Sequence, residues 1–193
     1  MLRKYIEQYS GSTLTEEEFA LVTASFRPRH LRKKQYFLQE GDVSKNMAFI
    51  VKGAMRQYSV DEKGGEHIIF LCTENWWVGD RESFTMLTPS RYNIDAVEDS
   101  DILVTTSEAF QGLVDKIPAI NNMIRTMDQR NSIANQKRIH SAISLTAEER
   151  YFSLLESNPA LFQRFPQNMI ASYLGISAET LSRIRKKPRT TDH

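Results

Sequence analysis

Apolar and polar positions change rhythm several times along this chain. Tyr5, Ile6 and Tyr9, then Phe19, Leu21, Val22 and Phe26, recur at helical spacing, and Thr15 with Glu18 reads as a capping box opening the second run. This predicts helix over residues 1–27, ended by Pro28. From about residue 30 to 108 short apolar runs alternate with turn signals: Gln35–Gln39, Met47–Val51, Ala54–Val60, His67–Cys72, Tyr92–Val97 and Ile102–Thr106. Short strands at such regular spacing predict an antiparallel barrel or jelly roll. In Trp76-Trp77, one ring is expected to fill that barrel and the other to pack under the helix that follows.

Helical rhythm returns from about Ser107 to Ser144, with a break expected at Pro118. Its apolar positions, Ile120, Ile124, Met127, Ile133 and Ala134, are thinly spread among polar ones, so they read better as a seam against an identical partner than as the wall of a core. Packing on the barrel is the alternative. Thr146-Ala-Glu-Glu149 opens another helix through about Ser157, which Asn158-Pro159 ends.

Two short helices then flank Gly175. Ile170, Ala171 and Leu174 form the apolar stripe of the first, and Leu181 with Ile184 that of the second. Gly175 suits the positive φ of an abrupt helix stop, Ile176 plugs the angle, and Ser177 is placed as N-cap. This is the pattern of a helix-turn-helix, whose second helix enters the DNA major groove. Turned away from Leu181 and Ile184 lie Glu179, Ser182, Arg183 and Lys186. Arginine can grip guanine O6 and N7 with two hydrogen bonds, and a carboxylate can accept from cytosine N4. An ordinary helical hairpin with a solvated charged face is the competing reading.

Charge sharpens this picture. The 193-residue chain carries a net charge of only +1. Residues 164–193 nevertheless hold six Arg or Lys against two acids, so positive charge collects around the presumed reading helix. Arg29, Arg32, Lys33 and Lys34 form a second basic run, expected to be a solvated strand edge. Hydrophobic content of 40% supports a core, no apolar run is long enough to span a membrane, and the first residues lack the apolar stretch of a secretory signal. The single cysteine, Cys72, fits a reducing cytoplasm and leaves no set of thiols for a disulfide, zinc site or iron–sulfur cluster. His30, His67, His140 and His193 form no ligand pair, and no nucleophile elbow or phosphate loop is present. No catalytic residue, metal or cofactor is expected, and an enzyme is disfavoured.

Several stretches carry a resemblance to a known family. Gln39-Glu-Gly-Asp42, Phe49-Ile-Val-Lys-Gly-Ala54, Trp77-Val-Gly-Asp80 and Leu174-Gly-Ile-Ser-Ala-Glu-Thr-Leu-Ser-Arg183 resemble the Crp/Fnr transcriptional regulators, particularly shorter, Bacteroidetes-type members. The last stretch is the most specific and looks like the recognition helix of the fumarate-nitrate branch. The resemblance implies that Glu179, Ser182 and Arg183 read the bases of a TTGA-type half-site. Ala178 stands where the cyclic-AMP branch has arginine. Phosphate contacts are assigned to Thr180, Arg185, Lys186 and Lys187, with Arg189 sharing that role.

The implied fold is α+β: an N-terminal antiparallel, eight-stranded β-roll with flanking helices, a long dimerisation helix, and a C-terminal helix-turn-helix domain. The expected divisions are 1–115 for a cyclic-nucleotide-binding-like sensor, 116–144 for the dimer helix and 145–193 for the DNA-binding domain. Pro188–His193 is too short for a wing hairpin, so a truncated wing is expected. The effector pocket also departs from the family. Gly79-Asp80 replaces Gly-Glu, and Ser90-Arg91-Tyr92 replaces Arg-Ser-Ala, which weakens a claim for cyclic AMP. Gly79, Asp80, Ser90 and Arg91 are the candidate pocket residues for an unknown effector; an internal Asp80–Arg91 ion pair is the alternative. Together these expectations describe a cytoplasmic homodimer acting on double-stranded DNA, with RNA polymerase a candidate further partner and no membrane. The competing function is a β-roll signalling or scaffold module that has lost specific DNA binding.

Overall fold

The computed structural model describes residues 1–186. Lys187, Arg189 and the wing expected to be truncated therefore lie outside the described residues. Two helices come first, α1 (Leu2–Ser10) and α2 (Glu16–Ala24). Thr15 and Glu18 exchange both bonds of the capping box at the start of α2, at 3.1 and 2.8 Å. The helical region stops earlier than Pro28, because β1 (Arg27–Leu31) already includes that proline. Proline has no N–H to donate, and β1 is an edge strand where one side of the backbone needs no partner.

The roll is completed by β2 (Tyr36–Leu38), β3 (Asn46–Lys52), β4 (Met55–Val60), β5 (Glu66–Cys72), β6 (Trp77–Val78), β7 (Asn93–Ala96) and β8 (Ser100–Thr106), with α3 (Arg81–Met86) between β6 and β7. The strands form two four-stranded sheets, ordered β1-β8-β3-β6 and β2-β7-β4-β5, with antiparallel pairing throughout. Strand alternation gives each sheet two apolar faces. Leu31, Ala48, Ile50, Met55, Ile94 and Ile102 point between the sheets and fill the interior.

The outer faces are covered by different parts of the chain. Helices α4 (Ser107–Lys116) and α5 (Pro118–Ser144) follow the roll, interrupted at Ile117 beside the expected break; Pro118 starts α5, where its missing N–H costs nothing. On the first sheet Phe49 joins Tyr5, Ile6, Val22, Leu113, Ile117, Ile120 and Met123, so α1, α2, α4 and the start of α5 close that side. Trp77 packs here, edge-on to Phe49 at 5.5 Å and Phe110 at 5.7 Å. Trp77 is thus the ring that packs under the helices, and Trp76, instead of filling the barrel, is 45% exposed. Both rings depart from the barrel interior because β6 is only two residues long and lies at a sheet edge.

On the second sheet the outer face meets the C-terminal helices α6 (Ala147–Ser157), α7 (Leu161–Arg164), α8 (Gln167–Leu174) and α9 (Ala178–Lys186). Ala54, Tyr58, Ile68, Leu71 and Val97 form one cluster with Tyr151, Phe165, Ile170, Leu181 and Ile184. The long helix α5 thus has two characters. Its first turns are buried against α1 and α4, whereas Ile133, Ile139 and Ile143 are 54, 61 and 79% exposed. The alternative of packing on the roll holds for the first part only. Truncating a side chain in the buried part leaves a cavity as well as losing apolar contact, so Ile120→Ala is expected to lower unfolding free energy by about 2–5 kcal/mol in urea denaturation.

Candidate nucleic-acid interface

Local chemistry explains the helix-turn-helix. Gly175 ends α8 in the left-handed region at φ 67° and ψ 36°, and its N–H donates to the Ser172 carbonyl at 3.0 Å. Glycine takes this conformation without the steric cost a Cβ would add. Gly175, Ile176 and Ser177 form the turn, and the Thr180 N–H donates to Ser177 Oγ at 3.2 Å, capping α9. Ile170, Ala171, Leu181 and Ile184 are buried between the helices. Burial of those four sets the rotation of α9.

With that rotation fixed, Glu179, Ser182, Arg183 and Lys186 share the opposite face and are all exposed. Arg185 is exposed beside them and Thr180 is half-buried at the helix flank. Arg183 donates to Thr180 Oγ1 at 3.1 Å, which orients its guanidinium along the helix. The Glu179 carboxyl is held below its ordinary value by its own backbone N–H and by Ser177, with the Arg183 charge adding to them. It therefore stays an anionic acceptor at neutral pH. Such a face offers a carboxylate acceptor, a hydroxyl and cationic donors within one groove-sized strip.

The helix-turn-helix and its flanking helices are anchored to the roll by polar contacts far apart in sequence. β5 is an edge strand. The Ser172 hydroxyl of α8 accepts from the Ile68 N–H and donates to the Glu66 carbonyl, both at 2.9 Å, so one side chain stands in for a neighbouring strand. Arg138 of α5 donates to the Ile69 carbonyl, and its guanidinium lies 4.5 Å over the Tyr173 ring. Arg164 of α7 pairs with Glu74 at 2.8 Å and also with Glu98. These anchors escaped sequence reading, since Arg164 and Glu74 are 90 residues apart.

The candidate effector residues Asp80 and Ser90 are each engaged by local hydrogen bonds. Asp80 is buried and caps α3, its carboxylate accepting from the N–H groups of Glu82 at 3.1 Å and Ser83 at 3.3 Å. Gly79 passes close over β3, where a Cβ would come 3.0 Å from Met47 Cγ. Ser90 is buried and bonds locally, accepting from the Tyr92 N–H and donating to its carbonyl. Arg91 is exposed and forms no ion pair with Asp80, which corrects that alternative: the carboxylate is turned toward the amides of α3. A cleft of about 630 Å³ opens along residues 36–46, whose Gly41 and Asp42 exchange backbone hydrogen bonds with Ser90, both at 2.8 Å. Cys72 is buried in the roll, where burial pushes its thiol up to about 12.

The chain thus combines an antiparallel β-roll, a long helix with an exposed half and a helix-turn-helix whose second helix turns a polar face outward. Residues 28–116 match the family described as cyclic nucleotide-binding domain. Over 189 aligned positions the chain is 25% identical to the regulatory protein HlyX of Actinobacillus pleuropneumoniae, covering 89% of this chain and 76% of that protein. It is 24% identical to the fumarate and nitrate reduction regulatory protein of Vibrio cholerae, with 89% and 73% covered. The fold is shared with FixK2 from Bradyrhizobium japonicum at a TM-score of 0.69 and 18% identity, over 83% of this chain and 82% of that one. The Thermus thermophilus catabolite activator protein aligns at a TM-score of 0.56 and 20% identity, over 91% and 84%. By relationship and fold the chain is a homologue of the Crp/Fnr regulators. These relatives support the broad family and not the narrower Bacteroidetes-type grouping.

The Arg164 clamp has a pH signature. Hydrogen bonding to Arg164 holds the Glu74 carboxyl down at about 2. A depressed carboxylate contributes stability above its unfolded value, about 4.3, and loses it as pH falls toward the folded value. Arg164→Ala is expected to return Glu74 toward the ordinary range and flatten the acid limb of the stability curve over that window. NMR titration of Glu74, with urea midpoints at each pH, checks this; unchanged limbs would remove Arg164 as the cause.

Proposed function

We propose that the chain is a homodimeric, sequence-specific DNA-binding transcription regulator of the cytoplasm, with residues 1–115 as sensor, 116–144 as dimer helix and 145–193 as DNA-binding domain. One observation carries the reading: Leu181 and Ile184 are buried while Glu179, Ser182, Arg183 and Lys186 stand exposed on the other face of α9. Glu179, Ser182 and Arg183 read base edges, and Thr180, Arg185 and Lys186 hold phosphates. Lys187 shares the phosphate role on sequence grounds. The relatives' printed names, a regulatory protein and a fumarate and nitrate reduction regulator, support the same activity. RNA polymerase is the natural further partner for such a regulator.

The exposed half of α5 supports the dimer. Ile133, Ile139 and Ile143 lie on one broad side of a helix that this chain leaves uncovered, and a second copy supplies the missing wall. Two reading helices then meet half-sites about one helical turn, ~34 Å, apart. The effector is a molecule other than cyclic AMP. Asp80 is committed to α3 and Arg91 is exposed, so these two do not form the acid–arginine pair that would hold a ribose hydroxyl and a cyclic phosphate.

Arg183→Ala is expected to cost about 1–3 kcal/mol on the preferred site and relax discrimination at one base pair, measured by competition binding. Equal weakening on every sequence would reassign Arg183 to phosphate. In sedimentation, the pair Ile139→Asp and Ile143→Asp is expected to yield monomers while each protomer keeps its unfolding midpoint. A persistent dimer would place the interface elsewhere.

A further inference from the structure

Arg138 joins three parts of the chain. It leaves α5, donates to the Ile69 carbonyl of β5, and lays its guanidinium 4.5 Å from the centre of the Tyr173 ring in α8. The next residue, Ile139, is 61% exposed. Successive helical residues point about 100° apart, so α5 grips the roll and α8 with one position and offers the next to a second copy. Ser172 of α8 fastens the same strand edge, accepting from the Ile68 N–H and donating to the Glu66 carbonyl, both at 2.9 Å.

The covalent path from α5 to the C-terminal helices is slight by comparison. α5 ends at Ser144 and α6 starts at Ala147, with Leu145 and Thr146 between them. Leu145 is extended, at φ −100° and ψ 145°. Its N–H bonds back to the Ser141 carbonyl at 3.1 Å, and its carbonyl accepts from Arg150 Nη1 of α6 at 2.9 Å. One end of Leu145 thus belongs to each helix, and its own φ and ψ form the joint. Rotation there swings everything beyond it, so the direction of α8 and α9 relative to α5 depends on the side contacts of Arg138 and Ser172.

A DNA duplex sets the scale on which that direction matters. Each base pair adds a rise of about 3.4 Å and a turn of about 35°. Half-sites one base pair further apart ask each of two copies to shift its α9 by about 1.7 Å and turn it by about 17°. Hydrogen bonds weaken outside a distance window of about half an ångström, so the contacts of Arg138 and Ser172 cannot follow such a shift intact.

We propose that Arg138 and Ser172 set the half-site spacing that the dimer accepts, without themselves reading bases. The inference rests on the DNA-binding reading above. Arg164, tied to Glu74 and Glu98, secures the same seat at its rim.

The test is competition binding to palindromes built from a half-site that the wild-type chain selects from random sequence. The spacer is the selected one, or one or two base pairs longer or shorter, and a further duplex carries a single half-site. The double variant Arg138→Met, Ser172→Ala removes the contacts to β5 and leaves the exposed face of α9 intact. Wild type is expected to lose about tenfold or more for one base pair of wrong spacing, the scale of one charge-assisted hydrogen bond broken. The double variant is expected to lose less than about threefold, yet to match wild type on the single half-site and in sedimentation. Arg138→Lys, which keeps a donor and a cation, should fall between them. Should the double variant not unfold cooperatively, Ser172→Ala and Arg138→Lys carry the comparison singly, and each must narrow the wild-type ratio.

A wild-type spacing ratio in the folded variants would overturn the proposal. Equal weakening on every duplex, the single half-site included, would also overturn it, by making both residues supports of the helix-turn-helix itself. Equal wild-type affinity for all spacings would overturn the rigid seat and keep the DNA reading. Failure of the wild-type chain to bind any duplex would overturn the DNA reading as well.

Discussion

The exposed edge of β5 is the constraint on which the arrangement turns. An edge strand carries backbone N–H and C=O groups that no neighbouring strand satisfies, and leaving them buried and unpaired is costly. Two side chains solve this. Ser172 takes the Ile68 amide and the Glu66 carbonyl, and Arg138 takes the Ile69 carbonyl. Ser172 belongs to the first helix of the helix-turn-helix and Arg138 to the long helix, so completing the sheet also seats both on the roll. A register shift in the β4–β5 ladder, where Gln57 faces Phe70 and Tyr58 faces Ile68, lets the strand offer the Ile69 carbonyl sideways.

From that seat the layers follow. The outer face of one sheet is closed by α1, α2, α4 and the first turns of α5, and the outer face of the other by the helix-turn-helix unit. Both sheets are therefore buried on two sides, and neither presents a broad apolar wall to solvent. Exposed apolar side chains remain at scattered positions such as Leu21, Trp76, Met86 and Leu87, and in the far half of α5. The Arg164 clamp adds a charged fastening at the rim of the same contact, where Glu74 and Glu98 come from different loops of the roll. A bidentate guanidinium suits that task because it meets two carboxylates without losing planarity.

Much of this was legible where the determining interactions are local. Capping boxes at Thr15 and Thr146, the turn at Gly175 and the stripes of α8 and α9 depend on residues within one or two turns of each other. Six strands could be placed because their apolar residues alternate. β1 was missed because Arg-Pro-Arg-His-Leu buries only Leu31, and β6 because two residues carry no period. The short helix α3, between β6 and β7, carries its signal in Asp80, a sound N-cap whose acid also reads as a ligand-binding residue. The exposed face of α9 follows from its neighbours' hydrophobicity, whereas the dispersal of Asp80 and Arg91 needed coordinates. Ser172, Arg138 and Arg164 act across most of the chain length, beyond any local signal.

Cys72 leads to a different kind of consequence. Its sulfur sits between the sheets, and burial keeps it as the poorly reactive thiol rather than the nucleophilic thiolate. Oxidants and alkylating reagents therefore meet it only when the roll parts. Because the described chain holds no other thiol, the speed of its labelling becomes a stopwatch for how often the sheets breathe, with no tag added and no surface altered.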